Sequence, residues 1–246
     1  MTKDTKNVLW VLAVYALSFI CYVPLLLRQS GAVVPGVLLY LRYFFVLVPV
    51  LISTAFLLNE HAVKVYWLDC FKTISRKEIY IGMVAALTGA LTTCGYSFWQ
   101  GISLFRNAYP SILSFSVSAG YLFATALVEE MAWRGFLSKR ISSGLGNARA
   151  SLFVGVLWAV WHIPMWTIRN SSGLEEVIPL FIWAVLISLV LGMVWFRFEN
   201  LLSVSLLHTL FNICFLTPAK YNDSIIFAGI LICYIFRKYK KGIKEF

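Results

Sequence analysis

The chain has 246 residues, 60% of them hydrophobic and only 13% charged, with a mean hydropathy of +0.80. Soluble domains carry about 25% charged residues, so this composition excludes an ordinary soluble fold. The net charge of +10 and pI near 9.5 do not make a nucleic-acid binder, because that needs a basic face on a soluble domain. None is present, and the charge instead sets orientation in a membrane.

The apolar residues come in charge-free runs of roughly 20, the length a helix needs to cross about 30 Å of hydrocarbon. Residues 1–7, with Lys3 and Lys6, resemble the start of a signal peptide. The apolar stretch Val8–Leu27 is too long for one and lacks an A-x-A-like site before Arg28, so the first helix is expected to stay in the mature protein.

Eight spans are predicted: Val8–Leu27, Tyr43–Leu58, Ile79–Trp99, Ser111–Leu137, Ala150–Ile168, Val177–Phe196, Leu201–Thr217 and the short Ser224–Phe236. The fold class is therefore all-α, a polytopic transmembrane helical bundle. Between the second and third spans, Asn59–Glu78 places Val63, Trp67, Phe71 and Ile74 at helical spacing among basic residues. It reads as an interfacial amphipathic helix, a solvated loop with a few aromatics being the alternative.

The fourth span is drawn through Glu129, Glu130 and Arg134, because apolar sequence resumes at Phe136 and Leu137 and the basic pair Lys139/Arg140 makes the better interfacial stop. Breaking the helix at Glu129 would leave those apolar residues in a loop. With eight spans, sixteen of the lysines and arginines fall on the terminus side and five, including Arg42, on the other. Both termini are expected to be cytoplasmic, in the cell membrane if the host is bacterial.

Five cysteines (Cys21, Cys70, Cys94, Cys214, Cys233) show no CxxC spacing. They imply neither a disulfide framework nor a cysteine metal site. Without repeats or linkers, residues 1–246 read as a single integral membrane domain.

Three ionisable groups inside one span are costly, each about 2.5–3.5 kcal/mol near the helix centre. Glu130 and Arg134 are i,i+4 neighbours and can pair. Glu129 points about 100° away, and an intramembrane carboxylate without a local partner marks a functional site.

His162 follows Trp158 by one turn, and Pro164 just beyond it can free backbone carbonyls and help shape a cavity. His208 and Asn212, at i and i+4, share one helix face. A histidine or asparagine in such a helix can also serve only to bond helices together. Depth favours more: at about 1.5 Å per residue, Glu129 and His208 lie some 14–15 Å from the cytoplasmic end, and His162 and Asn212 about 20 Å.

Amide hydrolysis needs an activated water, a base for its proton, and donors aimed at the oxyanion. A desolvated Glu129 is a competent base and His162 could share the water. His208 and Asn212 carry N–H donors suited to an oxyanion hole.

The run Glu129-Glu130-Met131-Ala132-Trp133-Arg134-Gly135 resembles the EExxxRG motif of the CPBP family, the CAAX protease and bacteriocin-processing enzymes also called Abi. Trp158-Ala159-Val160-Trp161-His162 is similar to its FxxxH motif, with Trp for Phe, and His208-Thr209-Leu210-Phe211-Asn212 matches HxxxN. The likeness covers roughly residues 111–218.

It implies the eight-helix fold of type II CAAX prenyl endopeptidases and an intramembrane endopeptidase activity on a peptide or membrane-protein substrate. Glu129 is then the base, His162 its partner, His208 and Asn212 the oxyanion donors, and Glu130 and Arg134 supporting residues. No cofactor is required in that reading, though Glu129, His162 and His208 could also hold a divalent metal such as zinc.

HExxH, a mid-span aspartate pair and G-x-S-x-G are all absent from the sequence. A proton-coupled transporter lacks its repeat and broken-helix signals. A bacteriocin-immunity or scaffold protein that retains the site is the non-enzymatic alternative.

Overall fold

A computed structural model describes residues 2–71, 111–169 and 173–215. The expected spans Ile79–Trp99 and Ser224–Phe236, the end of Leu201–Thr217, and Ile74 of the interfacial stripe lie outside the described residues. Regular structure within them is helical, apart from one isolated bridge between Phe71 and Asn200.

The elements are α1 (Lys3–Ile20), α2 (Val23–Gln29), α3 (Val48–Asn59), α4 (Val63–Asp69), α5 (Ile112–Glu130), α6 (Lys139–Leu145), α7 (Asn147–Pro164), α8 (Leu174–Phe198) and α9 (Leu201–Phe215). Among the described residues, four continuous helical stretches, Gly36–Asn59, Ile112–Leu145, Asn147–Ile168 and Leu174–Phe198, are long and apolar enough to cross a membrane. The bent pair α1–α2 makes a fifth, and Leu201–Ile213 is a shorter apolar helix.

The first expected span is not one straight helix. α1 and α2 meet at 41°, because Pro24, near the start of α2, has no N–H to continue the ladder and its ring crowds the preceding turn. The bend turns Tyr22 into the protein, where it is buried edge-on to Phe45 with ring centroids 5.0 Å apart.

The second span begins earlier than Tyr43, as a 3₁₀ helix over Gly36–Tyr43 and then Phe45–Leu47, before α3. The fourth does run unbroken through its charges. α5 passes into a π-helix over Met131–Ser138 and then into α6. Its 34 residues extend about 50 Å at about 1.5 Å per residue, so Lys139 and Arg140 reach beyond the apolar slab.

Gly146 then reverses the chain at φ +77°, a left-handed conformation open to glycine at little cost. α7 packs along α8 through small residues. A Cβ on Gly155 would lie 3.0 Å from Ser188 Cβ, and one on Gly192 would lie 2.6 Å from Ser151 Cβ.

The stripe of α4 faces the protein rather than lipid. Val63, Trp67 and Phe71 pack against the core, and the Trp67 ring would sit 3.3 Å from a Cβ on Gly135. Val65 and Leu68 face outward instead. At the same end of the bundle Arg140 bonds both oxygens of Glu60 at 2.9 and 3.1 Å, and Lys6 joins them at 2.9 Å.

Candidate active site

Glu129 lies in the last turn of α5 and is buried. Its Oε2 accepts a 2.9 Å hydrogen bond from the Trp158 indole N–H on α7 and lies 3.9 Å from His162 Nε2. The local partner missing from its own helix is thus supplied by the neighbouring one.

His162 Nδ1 is 2.8 Å from the Trp158 carbonyl. A carbonyl only accepts, so Nδ1 carries a proton, and Nε2 is the ring nitrogen turned towards Glu129. Trp158 and Trp161 contact this ring edge-on at 4.6 and 4.7 Å, and Trp166 stacks on it at 5.5 Å. The imidazole is fixed by its bond and by three indoles.

A second carboxylate organises the other side. Oε1 of fully buried Glu130 receives Arg134 Nη1 at 3.0 Å and His208 Nδ1 at 2.7 Å. Arg134 Nη2 bonds Ser188 Oγ on α8 at 2.6 Å. The i,i+4 pair expected from sequence is therefore part of a larger knot joining α5, the π-helix, α8 and α9.

Burying an isolated ion pair is costly, and further hydrogen bonds on both partners offset that cost. The knot also orients His208: with Nδ1–H held by the carboxylate, Nε2 is left for other work, as in carboxylate–histidine pairs elsewhere.

Glu129, His162, His208 and Asn212 all line one cavity of about 350 Å³, the small end of the range for ligand pockets. Its walls are largely aromatic, with Tyr22, Phe45, Trp158, Trp161, Trp166 and Trp183 among them. Glu130 and Arg134 stand behind it. Beyond Pro164 the helix widens into a π turn over Met165–Arg169, and Met165 and Trp166 join the cavity wall there.

Among the described residues, no three His, Cys, Asp or Glu side chains converge as a metal-binding group. The donors fall instead into two separate pairs, Glu129 with His162 and Glu130 with His208. This arrangement does not fit the three-ligand set Glu129, His162 and His208.

Three residues were not evident from sequence. Ser188 is one serine among many on apolar helices, and nothing in its neighbours marks it. Trp158 looked like a conservative exchange for the phenylalanine of the motif, yet its indole donates a hydrogen bond that a phenyl ring cannot. Arg42 counted only as a loop charge, whereas it lines the cavity.

The fold and site together define an α-helical membrane protein with a polar centre inside its bundle. Residues 110–214 match the family model for Rce1-like type II CAAX prenyl endopeptidases. Over 77 residues the chain is 31% identical to CAAX prenyl protease 2 of Methanococcus maripaludis, an alignment covering 26% of this chain and 28% of that protein. The family match spans residues 110–214, the stretch that carries the three motifs, and the chain spans under a third of the length of the curated relative it matches.

Proposed function

We propose that this protein is an intramembrane endopeptidase that hydrolyses a peptide bond with water activated by Glu129. The observation that carries the proposal is the pairing of two acceptors, Glu129 Oε2 and His162 Nε2, 3.9 Å apart on the wall of a cavity they share with His208 and Asn212. Two acceptors at that separation can each take one hydrogen of a single water molecule, which orients its oxygen lone pair into the cavity.

The carbonyl carbon of the substrate receives the water oxygen as Glu129 takes a proton. Asn212 donates its amide N–H to the tetrahedral oxyanion. His208, held at Nδ1 by Glu130, donates from Nε2 to the same oxyanion when its ring carries both protons. Glu129 then returns the proton to the leaving nitrogen as the C–N bond breaks, giving a new carboxyl terminus and a new amine. Aromatic walls exclude bulk water and seat the apolar side chains flanking the bond.

Comparative mass spectrometry of membrane and released peptides tests this reading in cells expressing the wild-type chain or Glu129→Gln. The expected result is a defined set of peptides cut only in the wild-type cells. Identical peptide sets would remove the proposed activity.

A further inference from the structure

We infer that Arg42 forms an anchoring subsite for a substrate carboxylate within the cavity. This deepens the hydrolytic reading and rests on it. Arg42 ends the 3₁₀ helix Gly36–Tyr43, and among the described residues it is the one cation lining the cavity that holds Glu129, His162 and His208. That short helix is pinned nearby, where Phe45 stacks on Trp161 with centroids 3.9 Å apart.

Among the described residues the guanidinium is held but not neutralised. Nη2 donates to the Tyr43 hydroxyl at 3.1 Å and the group lies 4.9 Å from the Tyr43 ring centre, while Nε is buried without a hydrogen-bond partner. Its counterparts differ. Arg134 has Glu130 and Ser188, and Arg140 has both oxygens of Glu60. Among the described residues Arg42 pairs with no carboxylate, although a guanidinium carries five donors in a planar fork matched to one.

Charge in the cavity points to the occupant. Glu129, when ionised as base, repels an anionic substrate, and Arg42 is the group that offsets this. Sharing one small cavity places the anchor near the bond to be cut. The carboxylate is therefore a peptide's own, either its α-carboxylate or an acidic side chain close to the scissile bond.

The test uses full-length protein in neutral phosphatidylcholine vesicles and a cleaved peptide in three forms: native, amidated at its C-terminus, and with its nearest acidic residues changed to amides. For wild-type protein one of the two neutralised forms should show a KM about 10–100-fold higher, the worth of a charge-assisted hydrogen bond, with kcat little changed. Arg42→Gln should erase that difference, Arg42→Lys should restore part of it, and a thermal melt checks that both variants fold. The two altered peptides separate the terminal from the side-chain source.

Equal selectivity in wild type and Arg42→Gln would overturn the subsite. So would an Arg42 effect that appears only in phosphatidylglycerol vesicles and ignores peptide charge, since the ligand would then be a lipid phosphate. Binding of the same peptides to Glu129→Gln protein, followed by tryptophan fluorescence, reads the subsite without chemistry. Charge-dependent binding lost in Glu129→Gln/Arg42→Gln supports Arg42 even if no peptide is cleaved, and charge-independent binding overturns it.

Discussion

One oxygen, Oε1 of Glu130, receives both a guanidinium and an imidazole, so removing either partner leaves a buried charge or an unheld ring. Arg134→Met is expected to destabilise the protein by about 3–5 kcal/mol, the cost of breaking a buried pair from one side, seen as a lowered Tm in detergent. Glu130→Ala should lower Tm similarly and also release His208, reducing kcat. Glu129→Ala should cut kcat by about 10²–10⁴-fold with a smaller fall in Tm, from the Trp158 indole it leaves unpaired, and His162→Ala and His208→Ala should lose activity comparably.

Glu129, His162, His208 and Asn212, which line one cavity, stood out in the sequence because charge and imidazole are conspicuous in lipid and their spacings repeat helical turns. The Trp158 indole bond and the Ser188 contact were hidden. An interhelical hydrogen bond depends on rotation and register between helices, which no local pattern encodes.

At the level of elements, the helices that carry the site are kept at close range by small residues. Gly192→Leu should push α7 from α8, because a Cβ there would already lie 2.6 Å from Ser151 Cβ. A loss of about 1–3 kcal/mol is expected for such overpacking, measurable as a lowered Tm. Ser151→Gly in the same chain should restore part of it, since it removes the obstructing side chain.

Among the described residues, span positions were legible from apolar runs because lipid imposes length. The α1–α2 bend was not drawn, although Pro24 was visible, because proline is tolerated in membrane helices wherever neighbours satisfy the freed groups. The 3₁₀ start of the second span and the π-helix after Glu130 leave no compositional trace. Neither alters the apolar pattern on which the reading relied.

Across the whole molecule the two ends differ. One is held by the Lys6, Glu60 and Arg140 cluster, and the cavity lies towards the other, with Tyr22, Arg42 and Trp166 on its wall. Hydrogen bonding from Arg140, then from Lys6, lowers the Glu60 carboxyl from 4.5 to about 2. A lowered folded-state value stabilises the native state above the ordinary carboxylate range, and that contribution fades as pH falls from about 4.5 towards about 2. Glu60→Gln should flatten this part of the Tm–pH profile, and an unchanged profile would contradict the assignment.

The excess of basic residues on the terminus side leads us to expect both termini in the cytoplasm. A cysteine at position 3 should then be shielded from a membrane-impermeant maleimide in intact cells and react after permeabilisation. Labelling of intact cells would reverse the orientation.

We propose that side chains from separate helices form one hydrolytic centre with Glu129 as its base. The most direct measurement is the single-turnover cleavage rate of one defined peptide by vesicle-reconstituted wild type and Glu129→Gln, each with and without prior chelation. Wild-type cleavage should survive chelation, and the rate should fall by at least about 10²-fold in Glu129→Gln. Equal rates in the two proteins would contradict the proposal.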